Sequence, residues 1–151
     1  MNIAGLLATK GVKVITIAPQ DTIREGVRRL AEHNIGALVV VDGGGGLAGI
    51  VSERDVVRAL ARVEAILAAP ISAIMTRDVI IGTPQDDLVA AGNTMTERHI
   101  RHLPVMDGGR LVGMISIGDI VKAQRYQYRG EVDTLQFQLL DEADVKSPRA
   151  S

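Results

Sequence analysis

One stretch of this chain is written twice, and any fold must accommodate both copies. Val14-Ile15-Thr16-Ile17-Ala18-Pro19-Gln20-Asp21 returns as Val79-Ile80-Ile81-Gly82-Thr83-Pro84-Gln85-Asp86, with the two prolines 65 positions apart. Repetition at such a period is the mark of a supersecondary unit used more than once. The chain has 151 residues, and surface-to-volume scaling leaves a half-length unit marginal alone. The two copies are therefore expected to pack as one compact module.

Each copy reads as a short strand stopped by proline, followed by a helix whose start carries a capping-type aspartate, Asp21 or Asp86. In the helices, Ile23, Val27, Leu30 and Ala31 answer to Leu88, Gly92, Met95 and Thr96, an apolar stripe at helical spacing. Ala37 to Asp42 and His102 to Asp107 are β-rich runs closed by Asp-Gly turns, and Leu47 to Ser52 and Leu111 to Ser116 follow as third strands. Pro104 inside one of these runs predicts an edge position or a missing ladder bond. A second helix opens after each hairpin at Ser52-Glu53-Arg54-Asp55 and Ser116-Ile117-Gly118-Asp119. Ile3 to Ala8 is expected to lead into copy one as a short helix, and Pro70 to Met75 into copy two. The order is β-α-β-β-α twice, an α+β fold. Its predicted bounds are 1–62 for the first repeat with its lead-in, 63–69 for a linker, 70–125 for the second repeat and 126–151 for a C-terminal helix and tail.

From Ile120 the last helix runs on, with Val121, Gln124, Tyr128, Val132, Leu135 and Leu139 near one face. The chain's three aromatic residues, Tyr126, Tyr128 and Phe137, all lie there. Such a helix either covers the module's own core or docks a second copy or a partner. The repeated unit looks complete without it, which favours docking. A frayed tail is expected after Asp144.

Composition removes several function classes. Seventeen basic against 18 acidic residues leave a net charge of -1, without the basic surplus of a nucleic-acid binder. There is no cysteine, hence no disulfide framework and no thiolate metal site. Neither a signal-peptide pattern nor a membrane-length apolar run is visible; the longest candidate, Ala65 to Met75, contains Pro70. A cytoplasmic protein is the expectation.

Ser-x-x-Asp has two readings. Structurally it is a capping box, with Asp in place of the preferred Glu. Functionally, the same helix N-terminus, with its unpaired N-H groups and partial positive charge, receives a phosphate, while the aspartate one turn in accepts from a ribose diol. Its recurrence at the same point of both copies raises the second reading. The pattern Leu-x-Gly-Ile/Met-Val/Ile-Ser-x-x-Asp, preceded by Ile100-Arg101-His102-Leu103-Pro104-Val105 and by Ala73-Ile74-Met75-Thr76, resembles the cystathionine-β-synthase (CBS) domain in tandem. The resemblance covers roughly residues 1 to 125, and the second copy carries it best.

The resemblance implies a module of two repeats related by a pseudo-twofold axis and packed sheet to sheet, with two clefts for adenine-containing ligands such as AMP, ADP, ATP, NAD(H) or S-adenosylmethionine. It implies that Asp55 and Asp119 hold ribose hydroxyls, with Ser52 and Ser116 near the ribose or first phosphate. Ile100 to Leu103 and the Ile80 region would flank adenine in one cleft, and Gly36, Ala37, Leu38 and the Ile15 region in the other. Two copies of such a module commonly meet as a dimer, so a homodimer is expected.

The copies differ where phosphate would lie: Gly36-Ala37 and Glu53-Arg54 in one, Arg101-His102 and Ile117-Gly118 in the other. Arg54 and Arg101 are candidates to serve one anion from opposite copies; the alternative is solvated arginines paired with Glu53 and Glu97. The inequality predicts that one cleft binds better, with Asp119 the expected favourite. His33, His99 and His102 have no carboxylate or cysteine spacing that would make a metal site, and His99 and His102 read as pocket-rim or surface groups. Gly43 to Gly46 lacks the lysine and serine or threonine of a phosphate loop and reads as a flexible turn. A non-catalytic nucleotide sensor acting on another molecule is the leading function. An enzyme using Asp119 and His102 as acid and base, or a ligand-free adaptor, are the alternatives.

Overall fold

The computed structural model describes residues 1–146, with side chains to 141. The first repeat holds β1 (Thr16–Ile17), α2 (Ile23–His33), β2 (Ala37–Val41), β3 (Leu47–Ser52) and α3 (Glu53–Arg62), preceded by α1 (Ile3–Lys10). Two 3₁₀ turns, Glu64–Ala68 and Ile71–Ala73, join it to the second repeat: α4 (Leu88–Glu97), β4 (His102–Asp107), β5 (Arg110–Ser116) and α5 (Ile117–Lys146). The tail beyond residue 146 lies outside the described residues.

In the first repeat β1 runs parallel to β2 and β2 antiparallel to β3. In the second, β4 and β5 form the antiparallel pair, but the strand expected at Val79–Gly82 shrinks to a single parallel bridge between Gly82 and Val105. Proline chemistry accounts for the difference. In the first copy the Val39 N-H donates to the Ile15 carbonyl; the residue equivalent to Val39 is Pro104, which has no N-H to give. Pro104 thus marks a missing ladder bond, and β4, in a sheet of two strands, is also an edge.

The helix faces shift by one position from the expected stripe. Ile23, Gly26 and Leu30 are buried in α2, and Leu88, Ala91 and Met95 in α4, while Val27 is exposed. Gly26 faces inward because a Cβ there would meet the Ile71 side chain at 2.8 Å. The caps also sit one residue later than expected. Thr22 and Asp87 cap α2 and α4, whereas Asp21 and Asp86 accept from the Ala18 and Thr83 N-H groups and so hold the proline corners.

The largest departure concerns the lead-in segments, which are exchanged. Ile3, Leu6 and Leu7 of α1 belong to the second repeat's core, with Leu88, Met95, Leu103, Val105 and Ile115. Ile71 belongs to the first, with Ile17, Ile23, Leu38 and Val51, and Ile74 and Met75 pack against it. The expectation that Ile3 to Ala8 leads copy one in space is therefore corrected. Backbone bonds fix the exchange symmetrically. Ile71 and Ser72 donate to the Asp21 and Pro19 carbonyls, and Ile3 and Ala4 donate to the Asp86 and Pro84 carbonyls. Each inserted Ile or Leu contributes roughly 1.5–3 kcal/mol of burial, so each repeat is completed by chain that precedes the other.

Only the first turns of α5 join the core, with Ile120 buried. Farther along, Tyr126, Tyr128, Leu135, Phe137, Leu139 and Leu140 are all well exposed, so this helix does not lie over the module's core. Lys122 Nζ stands 6.0 Å from the Tyr126 ring centroid.

Candidate functional site

Between the repeats lies a cavity of about 1020 Å³, ample for a nucleotide by comparison with ordinary ligand sites. Three stretches build it. The N-terminus of α3 supplies Ser52, Glu53, Arg54, Asp55 and Arg58; the chain after the second 3₁₀ turn supplies Thr76, Asp78, Val79 and Ile80; the entry to β4 and the start of α5 supply Ile100, Arg101, His102, Ser116 and Gly118.

The local geometry follows from the sequence. Ser52 Oγ accepts the Asp55 N-H at 3.2 Å, and Asp55 Oδ2 accepts the Ser52 N-H at 2.8 Å and the Ser52 hydroxyl at 3.1 Å, a complete capping box. Oδ1 takes none of these bonds. The structural and ligand-binding readings of Ser-x-x-Asp are therefore compatible, since one oxygen serves the cap. The Glu53 and Ile117 N-H groups donate to the Gly36 and Arg101 carbonyls, which pins each helix start beside the strand entry of its own repeat.

Charge in the cavity is balanced between arginines and carboxylates. Arg54, Arg58, Arg101, His99 and His102 face Glu53, Asp55 and Asp78, and the N-terminus of α3 adds its partial positive charge. His99 adopts a left-handed backbone, φ 55°, the same conformation as Asn34 at the equivalent helix end. His102 lies against Gly36 across the repeat interface; a Cβ on Gly36 would stand 3.4 Å from its Nε2. Burial holds the His102 pKa below the ordinary histidine value; Lys10 and Arg101 act the same way, while Glu53 and Asp119 oppose them. It is a neutral ring at neutral pH, able to both donate and accept.

Of the residues picked out by sequence, Gly36, Ser52, Arg54, Asp55, Ile80, Ile100, Arg101, His102 and Ser116 meet on this one cavity. Leu103 and Ala37 instead point into packed interior. Ile15 packs against the first repeat's core, and its carbonyl accepts from Val39. Asp119 does not line the cavity: its Oδ2 is bonded to Lys10 Nζ at 2.6 Å and to the Ser116 N-H at 2.8 Å.

Ile80 shares its cavity with Asp55, because Thr76 and Ile50 exchange backbone hydrogen bonds of 2.9 and 3.0 Å and run the following chain past β3. The cavity carries Asp55 and not Asp119. Asp119 and His102 make no hydrogen bond to each other among the described residues. Thr76, Asp78, Val79 and Arg58 went unassigned as site residues in the sequence; Arg58, one turn beyond Arg54 on the same helix, carried a readable signal. Among the described residues no cluster of three or more His, Asp or Glu stands ready to hold a metal ion, and no helix is long and apolar enough to cross a membrane.

The fold and cavity define a duplicated α+β module that opens a cleft lined by arginines and carboxylates between its halves. A family model of the CBS domain matches residues 7–62 and 71–126, and the chain belongs to that family as a tandem pair. A mitochondrial CBS-domain-containing protein of Arabidopsis thaliana is 38% identical over 120 residues; the match spans 76% of this chain and 58% of that relative. A crystal structure of a CBS-domain-containing protein from Agrobacterium tumefaciens is similar with TM-score 0.79 and 40% identity, covering 82% of this chain and 92% of that one. A CBS domain pair in complex with 5′-methylthioadenosine and S-adenosyl-L-methionine matches with TM-score 0.76 and 29% identity over 84% and 98% of the two chains. A Pyrobaculum aerophilum CBS domain protein complexed with AMP matches with TM-score 0.72 and 30% identity over 79% and 89%.

Proposed function

We propose that this chain is a non-catalytic regulatory module that binds an adenine nucleotide in the cavity beside Asp55 and passes the binding event to its own assembly or to a target protein. The observation that carries the reading is the capped N-terminus of α3, which lines a cavity together with arginines from both repeats. In this reading Asp55 Oδ1 accepts the ribose diol, Ile80 and Ile100 pack against adenine, and Arg54 and Arg101 hold phosphate from opposite repeats. Similar CBS pairs bind AMP in one case and S-adenosylmethionine with 5′-methylthioadenosine in another, which supports the adenine class.

Among AMP, ADP, ATP, NAD(H) and S-adenosylmethionine, the arginines favour the phosphate-bearing ligands, because guanidinium matches phosphate geometry and repels a sulfonium. Calorimetry against AMP and S-adenosylmethionine tests this. Tighter binding of AMP is expected, and equal or reversed affinities would remove the arginines from ligand selection. Coupling to a target follows if ligand binds two states of the module unequally.

The exposed apolar side chains of α5 support a second element of the proposal, pairing of two modules through this helix. Light scattering of a chain ended near Lys122 should report a monomer; a dimer that survives the truncation excludes α5 as its basis.

A further inference from the structure

The two Ser-x-x-Asp starts are matched in backbone but not in what reaches their carboxylates. Among the described residues Asp55 is met only by its own cap. Asp119 is met by Lys10, the last residue of α1, whose ammonium donates to Asp119 Oδ2 at 2.6 Å and to the Met114 carbonyl at 2.5 Å. Met114 occupies the position in β5 that Ile50 occupies in β3. There the carbonyl accepts the Thr76 N-H, so a lysine side chain on one side of the module stands in for a backbone strand on the other. The Ser116 hydroxyl accepts the Asp119 N-H at 3.1 Å, as that of Ser52 accepts the Asp55 N-H.

We propose that Lys10 is a built-in cation that closes the Asp119 cleft, so that the module takes one nucleotide at Asp55 and admits a second only when Lys10 is displaced. The inference rests on the nucleotide reading of the Asp55 cavity. A ribose diol reaching Asp119 must compete with an ammonium already seated between the carboxylate and the β5 edge. Electrostatics agree with the seating. Burial raises the Asp119 pKa, but the Lys10 hydrogen bond and the Ser116 backbone bond more than offset it, and the carboxyl is held below its usual value. The pair is about one-third exposed on the lysine side, so the closure is displaceable and is expected to weaken the second site by about fivefold. Because α1 also carries Ile3, Leu6 and Leu7 into the second core, loss of the Lys10 bond would be felt along the helix that completes that repeat.

Native mass spectrometry of the full chain with AMP tests the proposal. The wild type should load one AMP per chain at concentrations where Lys10→Met, which keeps the stem and removes the charge, loads two. In Lys10→Met, adding Asp119→Asn should remove one of the two, and adding Asp55→Asn the other. Circular dichroism melts of each variant guard against unfolding as the cause. Two AMP of equal affinity in the wild type, or only one in a folded Lys10→Met, overturns the closure and leaves the Asp55 site standing. No AMP on the wild type or on either variant overturns the nucleotide reading and the closure together.

Discussion

The N-termini of α3 and α5 offer a controlled comparison inside one molecule. Both begin with serine, both place aspartate three residues on, and both are pinned by a hydrogen bond to the strand entry of their repeat. Both line the broad cavity, but Asp55 is on its wall whereas the Asp119 carboxylate lies off it, bonded to Lys10. Their difference arises outside the motif, from a residue more than a hundred positions away in sequence from the carboxylate it meets. A duplicated motif therefore specifies two equivalent helix starts without specifying two equivalent sites.

The strongest way to break the symmetry argument is through the exchanged lead-ins. Ile3→Ala and Ile71→Ala should each lower stability by about 2–5 kcal/mol in urea denaturation, since both side chains are fully buried in equivalent seats. A cost near zero for Ile3→Ala would show that α1 is ornament and that the two halves are not equivalent. Next in size, Asp55→Asn should weaken AMP binding by about tenfold or more in calorimetry, because it removes a charged acceptor from a ligand hydrogen bond; the loss for Asp119→Asn should be severalfold smaller. The reverse order would return the principal site to Asp119.

Arg101→Ala should weaken AMP by severalfold while leaving adenosine nearly unaffected, which separates a phosphate contact from a packing effect. Equal loss for both ligands would place Arg101 against the nucleoside. The smallest effect concerns His102. Its folded pKa is lowered chiefly by burial, so as pH falls below about 6.5 the unfolded chain takes up the proton first and stability is lost. Urea midpoints measured from pH 7.5 to 5.5 should fall more steeply in the wild type than in His102→Gln. Parallel slopes would mean that the imidazole titrates as if in water.

The repeat, the helix starts and the hairpins were legible because each is a local pattern: proline after a short apolar run, Ser-x-x-Asp after a strand, Asp-Gly at a turn. Pro104 even announced the ladder bond it would deny. What could not be read was partnership. Ile3 and Ile71 precede their repeats in sequence, and nothing in an amphipathic octamer says which of two similar cores it fills. Lys10 was invisible for the same reason, being one lysine at a helix end where a basic residue is favourable in any case.

The exchange of lead-ins also sets an order of events during synthesis. Ile3, Leu6 and Leu7 leave the ribosome before any strand of the core they complete has been made, and their seat beside Ile115 and Ile120 exists only after more than a hundred further residues have emerged. The first repeat, by contrast, waits only for Ile71. The nascent chain must therefore carry an exposed apolar helix through most of its translation, and the final closure of the module is the return of α1 to a partner formed last.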